Sequence, residues 1–208
     1  MPESASYILA ALQDDSDMVF FSGAQAAAAM NLTEVLDIYL KMFQGDLPDD
    51  YNSRLSAAIN CLGKLGDKRA VTFLQRCADS AYWGTKVEAA QALLALGDAS
   101  GWDLLEQALG DRDRDWVYYC RAGIARAVAE SGDPRAVDLL LKVLETIDVD
   151  YECDAQLLEA LIECLAEIGD PRSEEPIRKW QHYEFEDRDG LVEEALTKLE
   201  GRDVVPSR

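Results

Sequence analysis

The sequence predicts an all-α fold, a right-handed α-solenoid of about five to six helical hairpins. A Gly-Asp dipeptide recurs four times, and its glycines are 31, 35 and 37 residues apart. Apolar residues with a helical period precede and follow each copy, whereas no segment sustains the alternation typical of a strand. Together these observations indicate a series of similar helix pairs.

One solenoid over residues 1–208 is the predicted domain organisation, because this length suits a single compact domain or a short solenoid. Residues 1–30 form an N-terminal cap and a degenerate first repeat, and residues 31–183 form the repeats. Residues 184–200 form a C-terminal capping helix, and residues 201–208 form a flexible tail.

The Gly-Asp turns have the composition that ends one helix and begins the next. Glycine just past a helix end adopts the left-handed conformation that closes the last turn. Aspartate caps the next helix by accepting hydrogen bonds from its free amides, and proline suits the first helical position. Asn31 takes the glycine position in the degenerate copy, because asparagine tolerates this conformation. We predict structural turn roles for Gly66, Asp67, Gly97, Asp98, Gly132, Asp133, Pro134, Gly169, Asp170 and Pro171.

An arginine follows the turn in three of the four copies, as Arg69, Arg135 and Arg172. A cation at a helix N-terminus opposes the helix dipole, so each arginine needs an anionic partner. We predict that each pairs with the capping aspartate of an adjacent repeat, in a ladder with a gap at Ser100.

Residues 57–74 read AAINCLGKLGDKRAVTFL, and residues 132–144 read GDPRAVDLLLKVL. Both segments resemble HEAT-like repeats of the phycobilisome-lyase type. This resemblance implies helical hairpins whose second helices line an inner, concave face. Such repeats occur in bilin-attachment factors, chaperone-like proteins and scaffolds. The resemblance assigns no catalytic residue, because it rests on the repeat motif alone.

The composition is strongly acidic, with 20 Lys and Arg against 40 Asp and Glu and a formal net charge of −20. Such a surface repels nucleic-acid phosphates and anionic membranes, and it favours a protein partner that is basic at the contact. We expect no targeting segment, because the N-terminus lacks a basic region followed by an apolar run. We also expect no membrane span, because no stretch of 18 apolar residues occurs.

Cysteine usage indicates a reducing, cytoplasmic location. The five cysteines are odd in number and form no C-x-x-C pair, so we expect free thiols. Cys61 and Cys164 lie five residues before a repeated glycine, where the other copies have Ala92 and Ala127. We therefore place them in a column of small core residues.

The residues offer no motif for catalysis or for a metal site. His182 is the only histidine, which rules out the usual triads and His-based zinc sites. Asp111, Asp113 and Asp115 have the spacing that begins an EF-hand loop, but Trp116 and Ala122 stand where that loop needs Gly and Glu. We predict neither a catalytic residue nor a metal ligand.

The second helices of the hairpins place charged residues at matching positions. Six residues past the turn glycines lie Thr72, Asp103, Asp138 and Glu175, and four residues further on lie Arg76, Gln107, Lys142 and Lys179. Acid-before-base pairs at this spacing stabilise exposed helices by about 0.2–0.5 kcal/mol each. The alternative is a polar groove for a partner, which makes Asp103, Asp138 and Lys142 candidate contacts.

Aromatic and acidic residues gather where the first helices begin. The aromatic candidates are Tyr82, Trp83, Trp116, Tyr118, Tyr119 and Tyr151, and the acidic candidates beside them are Asp111, Asp113, Asp115, Asp148 and Asp154. Trp and Tyr dominate protein interfaces, so this edge is a candidate partner-binding strip. Equally, the acids can complement helix dipoles while the aromatic rings fill gaps between repeats.

From these observations we expect a non-catalytic scaffold or adaptor that binds a protein through the concave face and the aromatic-acidic edge. The resemblance implies an alternative, a phycobiliprotein bilin lyase subunit or chaperone-like factor that pairs with a second repeat protein. A bilin is the cofactor under that alternative, and no cofactor is expected otherwise. The acidic charge favours a further alternative, an inhibitor or immunity-type protein that blocks a basic enzyme.

Overall fold

The computed structural model describes residues 3–110, 115–148, 152–183 and 190–201. These residues contain twelve α-helices and no strands, which confirms the predicted all-α fold of repeated helical hairpins. The chain forms two compact units, Met1–Leu105 and Glu106–Arg208.

The helices of unit 1 are α1 to α6, and α7 begins in unit 1 and ends in unit 2. In order they are α1 Glu3–Ala11, α2 Asp17–Ala29, α3 Val35–Met42, α4 Ser53–Leu65, α5 Val71–Ala78, α6 Trp83–Ala95 and α7 Trp102–Gly110. Within this unit, the first helices of successive hairpins pack side by side: α2 packs on α4, and α4 packs on α6.

The helices of unit 2 are α8 Asp115–Glu130, α9 Ala136–Thr146, α10 Glu152–Ile168, α11 Glu174–Arg178 and α12 Leu191–Glu200. Here α8 packs on α10, and α10 packs on α12, so α12 occupies the place of a further first helix. The two units are therefore built by the same packing rule.

Several second helices differ from the prediction at their ends. Three of them begin with a single 3-10 turn, at Lys68–Ala70, Ala99–Gly101 and Pro171–Ser173. The last repeat is predicted to extend to residue 183, but its second helix ends at Arg178. Past this point the backbone amides bond carbonyls three residues back, as in Trp180 N–H to Ile177 O, so the chain tightens into turns.

The core follows the columns counted from the turn glycines. The residues four positions before the glycines are fully buried, and they are Leu62, Leu93, Val128 and Leu165. The residues eight positions after the glycines are also fully buried, and they are Leu74, Leu105, Leu140 and Ile177. The column immediately before the glycines is different. Leu96 is buried there, whereas Leu65, Ser131 and Ile168 are only half-buried, so this column contributes less to the core.

The turn residues have the geometry that their chemistry favours. Gly66, Gly97, Gly132 and Gly169 have φ between 67° and 76°, and Asn31 has φ 52° in the degenerate copy. Each capping aspartate accepts a hydrogen bond from the backbone N–H two residues on, as from Arg135 N to Asp133 Oδ1 at 2.9 Å. These bonds satisfy amides that the helix itself leaves free.

The Asp133 carboxyl is expected to titrate at a pKa of about 2, below the usual 3.8, because the Arg135 side chain and then its backbone N–H donate to the carboxylate. A pKa lowered in the folded state means that the ionised cap stabilises the fold above pH about 4, and that this contribution is lost as pH falls toward 2. Carboxyl-carbon NMR titration measures this midpoint. Arg135→Gln should move it back toward the usual value; an unchanged midpoint in that variant would contradict the role of Arg135.

Candidate functional site

The repeated arginines bond the aspartate of their own turn. Arg69 Nη2 lies 2.6 Å from Asp67 Oδ2, and the corresponding distances are 2.8 Å for Arg135 with Asp133 and for Arg172 with Asp170. The prediction of a ladder to the capping aspartate of an adjacent repeat is therefore wrong. The guanidinium reaches back to the carboxylate that already accepts its own backbone N–H, which gives a local and bidentate pair.

A link between repeats does exist, but its acid is on the second helix. Arg172 Nη1 donates to Asp138 Oδ1 at 2.6 Å, and Asp138 is six residues past the preceding turn glycine. Asp37 stands at the position equivalent to Asp138 in the degenerate repeat. The pKa of Arg69 is raised chiefly by Asp67, and the charge of Asp37 raises it further. The predicted contact residue Asp138 is exposed, yet it already has an internal cation as its partner.

One pair of successive repeats lacks both residues of this link between repeats. Thr72 stands in place of the acid, and Ser100 stands in place of the arginine in the following repeat. Acid and arginine are thus absent together in this pair of repeats. The matching absence indicates that the acid column serves contacts between repeats.

Lys142 and Asp103 are exposed candidates on the second helices. Lys142 Nζ lies 3.2 Å from Glu106 Oε1, so its ionic partner is on the preceding second helix and not at Asp138, four residues earlier. This exposed pair contributes at most about 1 kcal/mol. Asp103 lies in the first turn of α7, where a carboxylate complements the helix dipole.

The aromatic-acidic edge is described only in part. Tyr82 and Trp83, at the start of α6, are half-buried, and the Tyr82 ring lies edge-on to Tyr51 at 6.5 Å. The candidates Asp111, Asp113 and Tyr151 lie outside the described residues. The side chains of Asp115, Trp116, Tyr118 and Tyr119, in the first turns of α8, also lie outside the described part, so a binding role for them stays a prediction.

Asp154 belongs to the core of unit 2 and not to an acidic edge, which corrects the sequence interpretation. Its Oδ1 accepts from Arg121 Nη1 at 2.8 Å, and these two side chains are 2% and 3% exposed. Arg121 Nε also donates to the Leu109 carbonyl at 2.9 Å. Asp154 is on α10, Arg121 on α8 and Leu109 on α7, so Arg121 links α8 to α10 through the ion pair and to α7 through the hydrogen bond.

The described cysteines that are buried and free of a disulfide are Cys61, Cys77 and Cys164. Burial raises the pKa of Cys77 to about 12 and that of Cys164 to about 11. Burial also raises the pKa of Cys61. All three thiols are therefore protonated near neutral pH, which suits core packing and not nucleophilic attack.

An apolar face at the N-terminus is the surface that sequence reasoning missed. Tyr7 on α1 and Met18 on α2 are 74% and 82% exposed, and Val19 and Phe21 are also exposed. The groove between α1 and α2 has a volume of about 450 Å³ and is lined by Tyr7, Ile8, Ala11, Met18, Val19 and Ala26, among others. We call it the α1–α2 groove.

A signal for this face is present in the sequence. After Asp17 at its first position, α2 is largely apolar, since residues 18–33 contain no charged side chain. Such a helix is ordinarily buried on every side. Here α2 packs on α1 and α4, burying Phe20, Ala24 and Ala27, and the opposite side is left exposed.

The described residues hold no cluster of three or more His, Cys, Asp or Glu side chains arranged for a metal ion. Among the helices within the described ranges, none has the length and apolar content needed to cross a membrane.

Comparison with known proteins identifies the repeats. Residues 48–119 match the family of HEAT repeats, and residues 121–146 match the PBS lyase HEAT-like repeat. No curated protein matches the chain.

One similar solved structure is the complex of CpcE and CpcF of phycocyanin lyase from Nostoc sp. PCC7120. A chain of that complex is 18% identical, the match covers 95% of this chain and 94% of that chain, and the TM-score is 0.51. This likeness concerns the fold, and it extends along nearly the whole length of both chains. The repeats of residues 48–119 are thus similar to HEAT repeats, and the segment of residues 121–146 is similar to the PBS lyase HEAT-like repeat.

Proposed function

We propose that this protein is a binding subunit of a phycobiliprotein lyase, or of a related chaperone-like factor, and that it acts with a second repeat protein. The observation that carries this proposal is the likeness in fold, over 95% of the chain, to a protein in the complex of CpcE and CpcF of phycocyanin lyase. The PBS lyase HEAT-like repeat at residues 121–146 supports it independently.

The proposed contribution of the chain is to hold its partners in place. The three described thiols are buried, and burial raises the pKa of each, so they are poor nucleophiles. The exposed N-terminal apolar face and the charged second helices are surfaces that a protein partner can contact. A bilin would then be bound jointly with the partners, and this chain would orient the acceptor protein.

The test is co-expression of the chain with a second HEAT-like repeat protein from the same source, an apo-phycobiliprotein subunit and the bilin. A lyase subunit should raise the amount of covalently attached bilin, measured by absorbance and fluorescence of the denatured phycobiliprotein. A chaperone-like factor should instead raise the yield of soluble apo-protein without changing the pigment content per molecule. Equal pigment and equal yield with and without the chain would contradict the proposal.

A further inference from the structure

The α1–α2 groove has the shape of a helix-binding groove. Its rim carries the large and exposed side chains of Tyr7 and Met18, whereas small residues form its floor. At that floor α1 and α2 approach closely, since a Cβ on Gly23 would lie 3.0 Å from Ala11 Cβ. Large ridges beside a floor of small residues accept the apolar ridge of another helix.

The N-terminal segment that forms this groove carries charges of one sign. Residues 1–40 contain six acids and neither lysine nor arginine, and the acids are Glu3, Asp14, Asp15, Asp17, Glu34 and Asp37. Arg54 of α4 approaches from the side, but its Nε donates to Asp17 and its Nη atoms donate to the carbonyls of Asp14 and Asp15. The exposed Asp15 carboxylate at the α1–α2 turn has no cationic partner among the described side chains.

This charge pattern decides between possible occupants. A second copy of the chain would bring the same acids and a net charge of −20 to the contact, so like charges would meet. An anionic lipid surface or a nucleic acid would be repelled for the same reason. A helix that is apolar on one side and basic along the borders of that side complements the apolar groove and the acids Asp14 and Asp15 at the α1–α2 turn.

We propose that the α1–α2 groove is the docking site for an amphipathic helix of a protein partner, whose apolar face is bordered by lysine and arginine. This inference deepens the proposed function, because it assigns a surface and a partner chemistry to the binding role. Apolar contact supplies the affinity, and the acids of the α1–α2 turn select the basic helix and speed its association.

The first test uses two synthetic helical peptides of about five turns, each with the same leucine face. One peptide has lysines along the borders of that face, and the other has glutamates. Fluorescence anisotropy with the full chain should show that the lysine-bordered peptide binds at least about tenfold more tightly, and that raising the salt concentration weakens its binding. Equal binding of the two peptides would overturn the proposal.

The second test uses a matched pair of variants. Met18→Glu places a charge on the rim of the groove, and we expect at least about tenfold weaker binding of the lysine-bordered peptide. Met42→Glu makes the same change on α3, at a residue that is 38% exposed and does not line the groove, and should leave binding unchanged. Circular dichroism and thermal melting should show that both variants stay folded, since both positions are exposed. Unchanged binding by Met18→Glu would overturn the proposal.

The outcomes separate this inference from the proposed function. If Met18→Glu abolishes peptide binding but the wild-type chain does not affect pigment attachment or apo-protein yield, the docking site stands and the lyase or chaperone role fails. If the chain supports pigment attachment while peptide binding is insensitive to Met18→Glu, the role stands and the docking site fails. Light scattering provides a further check, because a wild-type dimer that Met18→Glu dissociates would assign the groove to a second copy and overturn the proposal.

Discussion

Replacing Asp154 by alanine is expected to lower the free energy of unfolding by about 3–5 kcal/mol, the largest single effect that the structure predicts. The Arg121 guanidinium would remain in the core, where its side chain is 3% exposed, without the carboxylate that accepts from it at 2.8 Å. The hydrogen bond from Arg121 Nε to the neutral Leu109 carbonyl does not neutralise the charge. Urea denaturation followed by circular dichroism measures the loss.

Two comparisons make the Asp154 result interpretable. Glu106→Ala removes an acid from the exposed pair with Lys142, whose side chains are 45% and 70% exposed, and should cost at most about 1 kcal/mol. Arg121→Met combined with Asp154→Leu removes both buried charges and should be more stable than Asp154→Ala alone. A similar, small loss for Asp154→Ala and Glu106→Ala would contradict the buried pair.

Replacing Leu93 by alanine is expected to lower the free energy of unfolding by about 2–5 kcal/mol. Leu93 is on α6, has no exposed surface and belongs to the apolar cluster that joins the helices of unit 1. The substitution removes buried methyl groups and leaves a cavity, because the packed helices around it relax only in part. Chemical denaturation monitored by tryptophan fluorescence and circular dichroism measures the change.

Leu65→Ala is the matched control for Leu93→Ala. Both are leucine-to-alanine changes in helices of unit 1, and Leu65 packs at the border of the same cluster but is only half-buried. Its loss of stability should be clearly smaller, because less apolar surface returns to water. Equal losses at the two positions would show that depth within the repeat does not govern the packing energy.

The repeat architecture was predictable because its signals are local. A glycine that closes a helix, an aspartate that caps the next one and a helical apolar period all act within a few residues of chain. They place Leu62, Leu93, Leu140 and Leu165 in the core, where the structure has them. The early end of α11 at Arg178 was not predictable, because its apolar pattern continues into Trp180.

The candidate site was predictable only in part. The apolar character of α2 is visible in the sequence, but that pattern is ordinarily read as burial on every side. Its exposure depends on the position of α2 beside α1 and α4, with no further helix covering Met18 among the described residues. Asp154 is the opposite case, a charged residue that is buried. An acid near the start of a helix is ordinarily solvated, but Asp154 lies in the core, where it forms an ion pair with Arg121.

The sequence by itself determined the helices, the turns between them and the columns of the core, because capping, backbone preference and apolar period are properties of neighbouring residues. Only the tertiary structure decided which charges pair and which apolar surfaces stay open. Arg172 contacts Asp138 across 34 residues of chain, and Met18 is exposed because of where its helix lies. Such contacts join residues that are distant in the chain, so they depend on the packing of whole helices.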